Sequence, residues 1–226
     1  MKLKQNNDQK SNFGKWGWLM IFICFFSYYI GGGLGTDGAN IYLSALSENK
    51  GYSQAALLLA GTYGGWINIV TILLYAKVVQ KIGTRRLHGT LTIIAGLAYI
   101  ALGNFNNLAA ACAMRVVITL AAGGFGSFLC NTFMNNWFPR KKGLALGWAT
   151  MGLPFATMTI PALMSLLVKK LGVTNMFTVV GVGIIVFGVL CLILARDYPE
   201  ERNVAPDNDS ISLEKIRENN MENKEH

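Results

Sequence analysis

Six apolar runs divide this sequence, and each is long enough to cross a hydrocarbon core, which takes about 20 residues of helix. Between them the charges collect in short clusters, at the N-terminus, near 77–86, at 140–142, at 169–170 and after Ala195. Lipid offers no partner for a backbone N–H or C=O, so uninterrupted runs of this length fold as helices. The chain is therefore read as all-α, a polytopic membrane protein with six transmembrane helices. Only 14% of its 226 residues are charged, where a soluble domain carries about a quarter.

The pattern predicts a first helix over 16–40, opened by Trp16 and Trp18 at the interface. Its glycines Gly31, Gly32, Gly33 and Gly35 permit close approach or a bend. A mildly polar loop at 41–53 follows, with Ser53 as N-cap of a second helix that runs to about Val79. Gly61 and Gly65 give that helix a small-residue packing face, and Asn68 is read as an interhelical hydrogen-bonding group. Helix 3 is expected over 87–103, helix 4 over 108–138, helix 5 over 143–168 with kinks at Pro154 and Pro161, and helix 6 over 173–195. Residues 1–15 form a polar tail. The segment 196–226, rich in Asn, Glu, Asp and Ser, is expected to be disordered.

The net charge of +8 sits in the loops and so sets topology; a basic, aromatic-interleaved soluble face for nucleic acid is absent. Cys24, Cys112, Cys130 and Cys191 all lie in apolar runs and read as buried thiols. With His88 and His226 as the only histidines, no metal site is expected. No cofactor motif is found either. The first apolar run is too long for the core of a cleavable signal peptide. Placing the N-terminus in the cytoplasm puts thirteen basic residues in inner segments and three (Lys50, Lys169, Lys170) in outer ones. Basic residues favour the cytoplasmic side, so a multi-pass protein of the cell membrane with both termini inside is expected.

Arg115 is the one ionisable residue well inside a span. It lies about seven residues from the outer end of helix 4, roughly 10 Å deep at 1.5 Å per residue. A buried guanidinium needs partners. Asp37, Tyr28, Tyr29 and the carbonyls of the glycine-rich end of helix 1 are candidates. Two readings stay open: Arg115 faces a wet cavity and attracts an anion, or it clamps helices 1 and 4 together.

The loop from Ala76 to Arg86, A-K-V-V-Q-K-I-G-T-R-R, resembles the signature loop of the major facilitator superfamily, G-x-L-x-D-R-x-G-R-R. Lys81, Gly83, Arg85 and Arg86 fit it, Ala76 replaces the first glycine, and Gln80 replaces the acidic residue that helps latch the family's two halves. The stretch from Trp137 to Gly152, W-F-P-R-K-K-G-L-A-L-G-W-A-T-M-G, resembles the helix-5 signature of monocarboxylate transporters. Phe138, Arg140, Lys141, Lys142, Leu144, Ala145, Gly147, Ala149 and Gly152 fall in register, Gly143 opens the restarted helix, and Met151 stands where alanine is expected. Gly14 to Trp18, G-K-W-G-W, is similar to that family's helix-1 signature, with Phe13 in the acidic position. The Trp-Phe-Pro form also resembles bacterial oxalate/formate antiporters.

That resemblance implies a six-helix half made of two inverted three-helix repeats, with helices 1 and 4 lining the cavity. Tyr28, Tyr29, Arg115 and Asn131 would face substrate, and Gln80, Gly83, Arg85 and Arg86 would form the gating loop. Asn131 reads equally as a plain interhelical donor. A complete member of the family has two such halves. This chain is then a truncated product, one half of a split transporter, or a dimerising half. The expected function is secondary transport, by symport or antiport, of small organic anions such as monocarboxylates, oxalate or formate. The alternative is a truncated membrane protein that acts only by pairing with a partner. An intramembrane serine protease built on Ser127 is disfavoured, since no intramembrane histidine is expected to serve as its base and the G-x-S-G order is absent.

Overall fold

The computed structural model describes residues 13–33, 35 and 38–208. The described residues form helices and turns without strands. Helix α1 (Gly14–Gly32) leads into a short outer helix α2 (Ala39–Lys50), then α3 (Gln54–Ile82) and α4 (Thr84–Asn104). Next, α5 (Leu108–Gly123) and α6 (Leu129–Trp137) are joined by a π-turn at Gly124–Phe128. They act as one rod, as do α7 (Lys142–Thr150) and α8 (Gly152–Leu171); α9 (Val173–Leu194) follows.

Two sequence expectations change at the first helix. The α-helix ends at Gly32 rather than running to 40; Gly33 and Gly35 take π-type geometry, and Gly38 N–H donates to Gly33 O at 3.0 Å. Where a loop was expected, Tyr42, Leu43 and Leu46 bury one stripe of α2, the spacing of an amphipathic helix. Gly51, in the left-handed region at φ 69°, ends it.

Five rods among the described residues have the length and apolarity of a membrane span, not six. The shortfall is α1, whose Lys15, Ser27, Tyr28, Tyr29 and glycines dilute its hydrocarbon. Its 19 residues nonetheless cover roughly 28 Å at 1.5 Å per residue. It lies along the α7–α8 rod: Trp18 meets Trp148 edge-on at 5.7 Å toward one end, a Cβ on Gly152 would strike Phe25 O midway, and Gly33 packs on Ile160 at the other end. The bundle therefore has six rods of spanning length.

Rod pairing carries the symmetry. The first rod packs along the fifth and the second along the fourth; the first crosses the fourth and the third pairs with the sixth. Exchanging the first three rods for the last three maps each of these pairings onto another or onto itself, as two inverted three-helix repeats require, while the further packing of the third rod on the fourth has no equally close first–sixth counterpart. The third and sixth rods run antiparallel on glycines seven residues apart. A Cβ on Gly89 would meet Leu192 and Gly188 O, one on Gly96 would sit 2.8 Å from Gly181 O, and one on Gly103 would meet Phe177. On α3 the packing glycines are Gly61 and Gly64, not Gly65, beside which a Cβ would find open space.

The tail also departs from expectation. Residues 195–208 fold against the face that carries both ends of the described chain, as two short 3₁₀ turns, Pro199–Arg202 and Pro206–Asn208. Asn203, Asp207 and Asn208 adopt positive φ, which Asn and Asp tolerate better than other side-chain-bearing residues. The asparagine and aspartate that suggested disorder are here turn formers.

Candidate functional site

The first and fourth rods cross where both are small. A Cβ on Gly31 would sit 3.1 Å from Gly126 Cα, and each helix carries a π-type distortion close by, at Gly33 and Gly35 and at Gly124–Phe128. π-turns are frequent at functional sites because they break the regular ladder. Beside the crossing lies a groove of about 300 Å³. Tyr28, Gly31 and Gly35 line one wall, Thr119, Gly123 and Ser127 another, and Asn68 and Leu153 reach in from the second and fifth rods.

Of the four residues expected at a cavity, two meet. Tyr28, which lines this groove, donates through Oη to Asn131 Oδ1 at 3.1 Å, with Asn131 behind the lining residues. Tyr29 turns to a neighbouring apolar cleft with Ile30, Gly33 and Ile160, its hydroxyl 2.8 Å from Thr159 Oγ1. Arg115 is 4% exposed and does not line the groove. Its Nη2 donates to Gly35 O at 2.9 Å, its guanidinium carbon lies 5.9 Å from the Tyr42 ring centre, and Gly61 leaves the space it occupies. It thus bridges α1, α2, α3 and α5, points away from lipid, and fixes a carbonyl whose residue does line the groove. Asp37, the acidic partner considered for it, lies outside the described residues.

The groove can hydrogen-bond but holds no acid, base or cation among its described lining residues. Thr119 Oγ1 donates to Arg115 O at 3.0 Å and Ser127 Oγ to Gly123 O at 2.9 Å. Their protons spent, both hydroxyls face the groove as acceptors. The side-chain donor that remains on the lining is the amide group of Asn68. Asn68 Oδ1 is buried without a hydrogen-bond partner, and its amide lies so close to Gly123 that no side chain fits there.

Sequence reasoning set His88 in the first residues of helix 3 and gave it no role. It is fully buried on α4, its Nε2 2.9 Å from Ser27 Oγ and its ring edge-on to Phe125 and Phe133. The available signal was the helix start at Thr84, set by Gly83 at φ 86°, which puts residue 88 one turn inside the bundle.

The long motif from Trp137 to Gly152 divides into parts. Ala145, Ala149 and Gly152 bury a small stripe toward α1. Leu144 and Met151, the latter 47% exposed, face outward, so the departure at Met151 disturbs no contact with α1. Gly143 and Gly147 would each accept a Cβ with nothing in reach. Phe138 packs edge-on against Phe13 at 5.0 Å and needs Gly17 beneath it, which ties the helix-1 motif to the helix-5 motif. Trp137 Nε1 donates to Arg196 O at 2.9 Å. In the other loop, Gln80 and Arg86 are exposed, and Arg85 N–H donates to the Asp197 carboxylate, which also abuts Gly83. The acid beside this loop thus comes from residue 197.

On the opposite face, Lys50 Nζ donates to Phe105 O at 2.7 Å and to Asn106 Oδ1 at 3.3 Å. Desolvation there pulls the Lys50 pKa below its ordinary value.

The sequence profile of the Major Facilitator Superfamily matches residues 17–220. The chain belongs to that family. Within it, the chain is 28% identical over 160 residues to the oxalate:formate antiporter of Oxalobacter formigenes. The match takes in 69% of this chain and 36% of that protein, so the chain spans about a third of the relative's length. Major facilitator membership, with the long apolar helices, makes this a multi-pass membrane protein of a transporter family. It also matches the pairing of rods seen above, one half of the family's architecture.

Proposed function

We propose that this chain is the six-helix half of a secondary transporter for small organic anions, such as monocarboxylates or oxalate and formate. It carries a symport or antiport cycle together with a second six-helix half or a second copy of itself. The observation that carries the reading is the groove at the crossing of the first and fourth rods, a largely apolar wall that carries the hydroxyls of Tyr28, Thr119 and Ser127 and the amide of Asn68, closed by no described residue on its open side. Polar surface facing hydrocarbon is costly, so a covering half is the arrangement that keeps the groove wet. The likeness to an oxalate:formate antiporter supports the substrate class.

In this reading Tyr28 contacts substrate, Asn131 holds its hydroxyl from behind and Arg115 sets the wall through Gly35. The groove supplies an amide donor but no cation, so the countercharge for a carboxylate comes from the covering half. The basic loops face the cytoplasm of the cell membrane, and both termini lie inside. The test is uptake of labelled oxalate, formate and lactate into proteoliposomes holding the chain, alone and with a co-expressed second half. Saturable uptake in either preparation supports the reading. Absence of uptake in both contradicts it and leaves a membrane protein that acts only through a partner.

A further inference from the structure

Two helices that start on the basic face lack a side-chain cap of their own. At the start of α4 stands Gly83, and at the start of α7 stands Lys141. The first N–H groups of a helix need acceptors, and a negative charge there is favoured by the helix dipole. At α4 one such acceptor comes from the segment that follows α9, and the same segment reaches the two N–H groups that just precede α7. Asp197 accepts from Arg85 N–H. Asp207 accepts from Arg140 N–H through Oδ2 at 3.0 Å and from Lys141 N–H through Oδ1 at 2.9 Å, and its own carbonyl accepts from Lys141 Nζ at 3.2 Å.

The strap between these aspartates is tied at further points. Trp137 Nε1 and Asn136 Nδ2 donate to the carbonyls of Arg196 and Asp197, and the Arg202 guanidinium lies 4.1 Å over the Trp16 ring. Asp207 is 4% exposed, held at φ 59°. Its ligand geometry is therefore set by the strap and not by a freely rotating tail.

We propose that residues 195–208 form a two-point clamp on the basic face, with Asp197 and Asp207 as positioning residues. They hold the starts of α4 and α7 to the end of α9 and the entrance of α1, so that this end of the half-bundle moves as one piece. Beneath the clamp lies a core of its own, in which Phe13, Trp137, Phe138, Cys191 and Ala195 are all buried. Opening the clamp exposes that core while leaving the opposite end of the bundle closed. The inference stands independently of what is transported.

The native cysteines report it. Cys191 is buried in the core under the clamp, while Cys112 lies near the opposite end, its thiol against Ala56 O. The full chain in detergent is treated with N-ethylmaleimide, and modification of each cysteine is followed by peptide mass spectrometry. Asp207→Ala is expected to speed labelling of Cys191 about tenfold or more, since two charge-assisted bonds are lost, with Cys112 unchanged. Asp207→Asn keeps one acceptor oxygen and the side-chain shape, so it gives a smaller rise at Cys191 alone; it carries the test if the alanine variant does not fold. An unchanged Cys191 rate in the variant that folds, or equal acceleration at Cys112, overturns the clamp.

Discussion

The third–sixth seam and the first–fourth crossing are built from the same residue, glycine, to opposite ends. Along the seam Gly89, Gly96 and Gly103 face Gly188, Gly181 and Phe177 with backbone almost touching and only apolar side chains between. At the crossing Gly31 and Gly126 bring two π-distorted helices together, and polar groups gather around them: Tyr28 with Asn131, Ser27 with His88, and Asn68. A regular glycine ladder leaves neither helix room to shift. A crossing of two π-distorted helices beside an open groove leaves room for a shift. The comparison assigns rigidity to the seam and adaptability to the crossing.

The sharpest way to break that contrast is Gly96→Val. Its Cβ would lie 2.8 Å from Gly181 O, a backbone atom that cannot rotate aside. Overpacking of this kind costs about 3 kcal/mol, measured as a lower midpoint of unfolding in mixed micelles. Next is Arg115→Leu, which abandons the Gly35 carbonyl and the Tyr42 ring. A hydrogen bond from a charged group is worth about 2 kcal/mol, and Arg115→Lys should recover only part, because it lacks the planar fork. Tyr28→Phe should lose about 1 kcal/mol, and paired with Asn131→Ala should show non-additivity, the mark of a direct bond. Smallest is Gly65→Ala. With open space beside it, the change should stay within about 0.5 kcal/mol, whereas Gly64→Ala, 3.0 Å from Thr119 Cβ, should be visibly worse.

Much of this architecture is legible in the sequence. Apolar run length and charged clusters gave the rods, and the two long motifs gave the family. Spacing alone could not choose between Gly61–Gly65 and Gly61–Gly64, because a helix face is wide enough for both and the partner, Thr119, is remote in sequence. The outer helix α2 was hidden by Ser, Asn and Glu on its exposed side, although Tyr42, Leu43 and Leu46 carry the period. The strap was hidden for a different reason. Its stability comes from bonds to loops more than fifty residues away, such as Asp207 to Arg140, and its local composition is that of a disordered tail. Arg115 was correctly read as buried, but whether it faced a cavity or a helix depended on Gly35 and Gly61, which no motif marks.

The account's central claim is that substrate occupies the groove at the first–fourth crossing. It is tested most directly by substrate protection of an introduced thiol at Ser127→Cys, which lines the groove, against Gly65→Cys on the outer surface of α3. Both are made in a chain whose native cysteines are replaced and assembled in proteoliposomes with the half that supports uptake. The account predicts that oxalate or formate slows maleimide labelling at position 127 and leaves position 65 unaffected. Equal labelling at 127 with and without every carboxylate that is transported would contradict it.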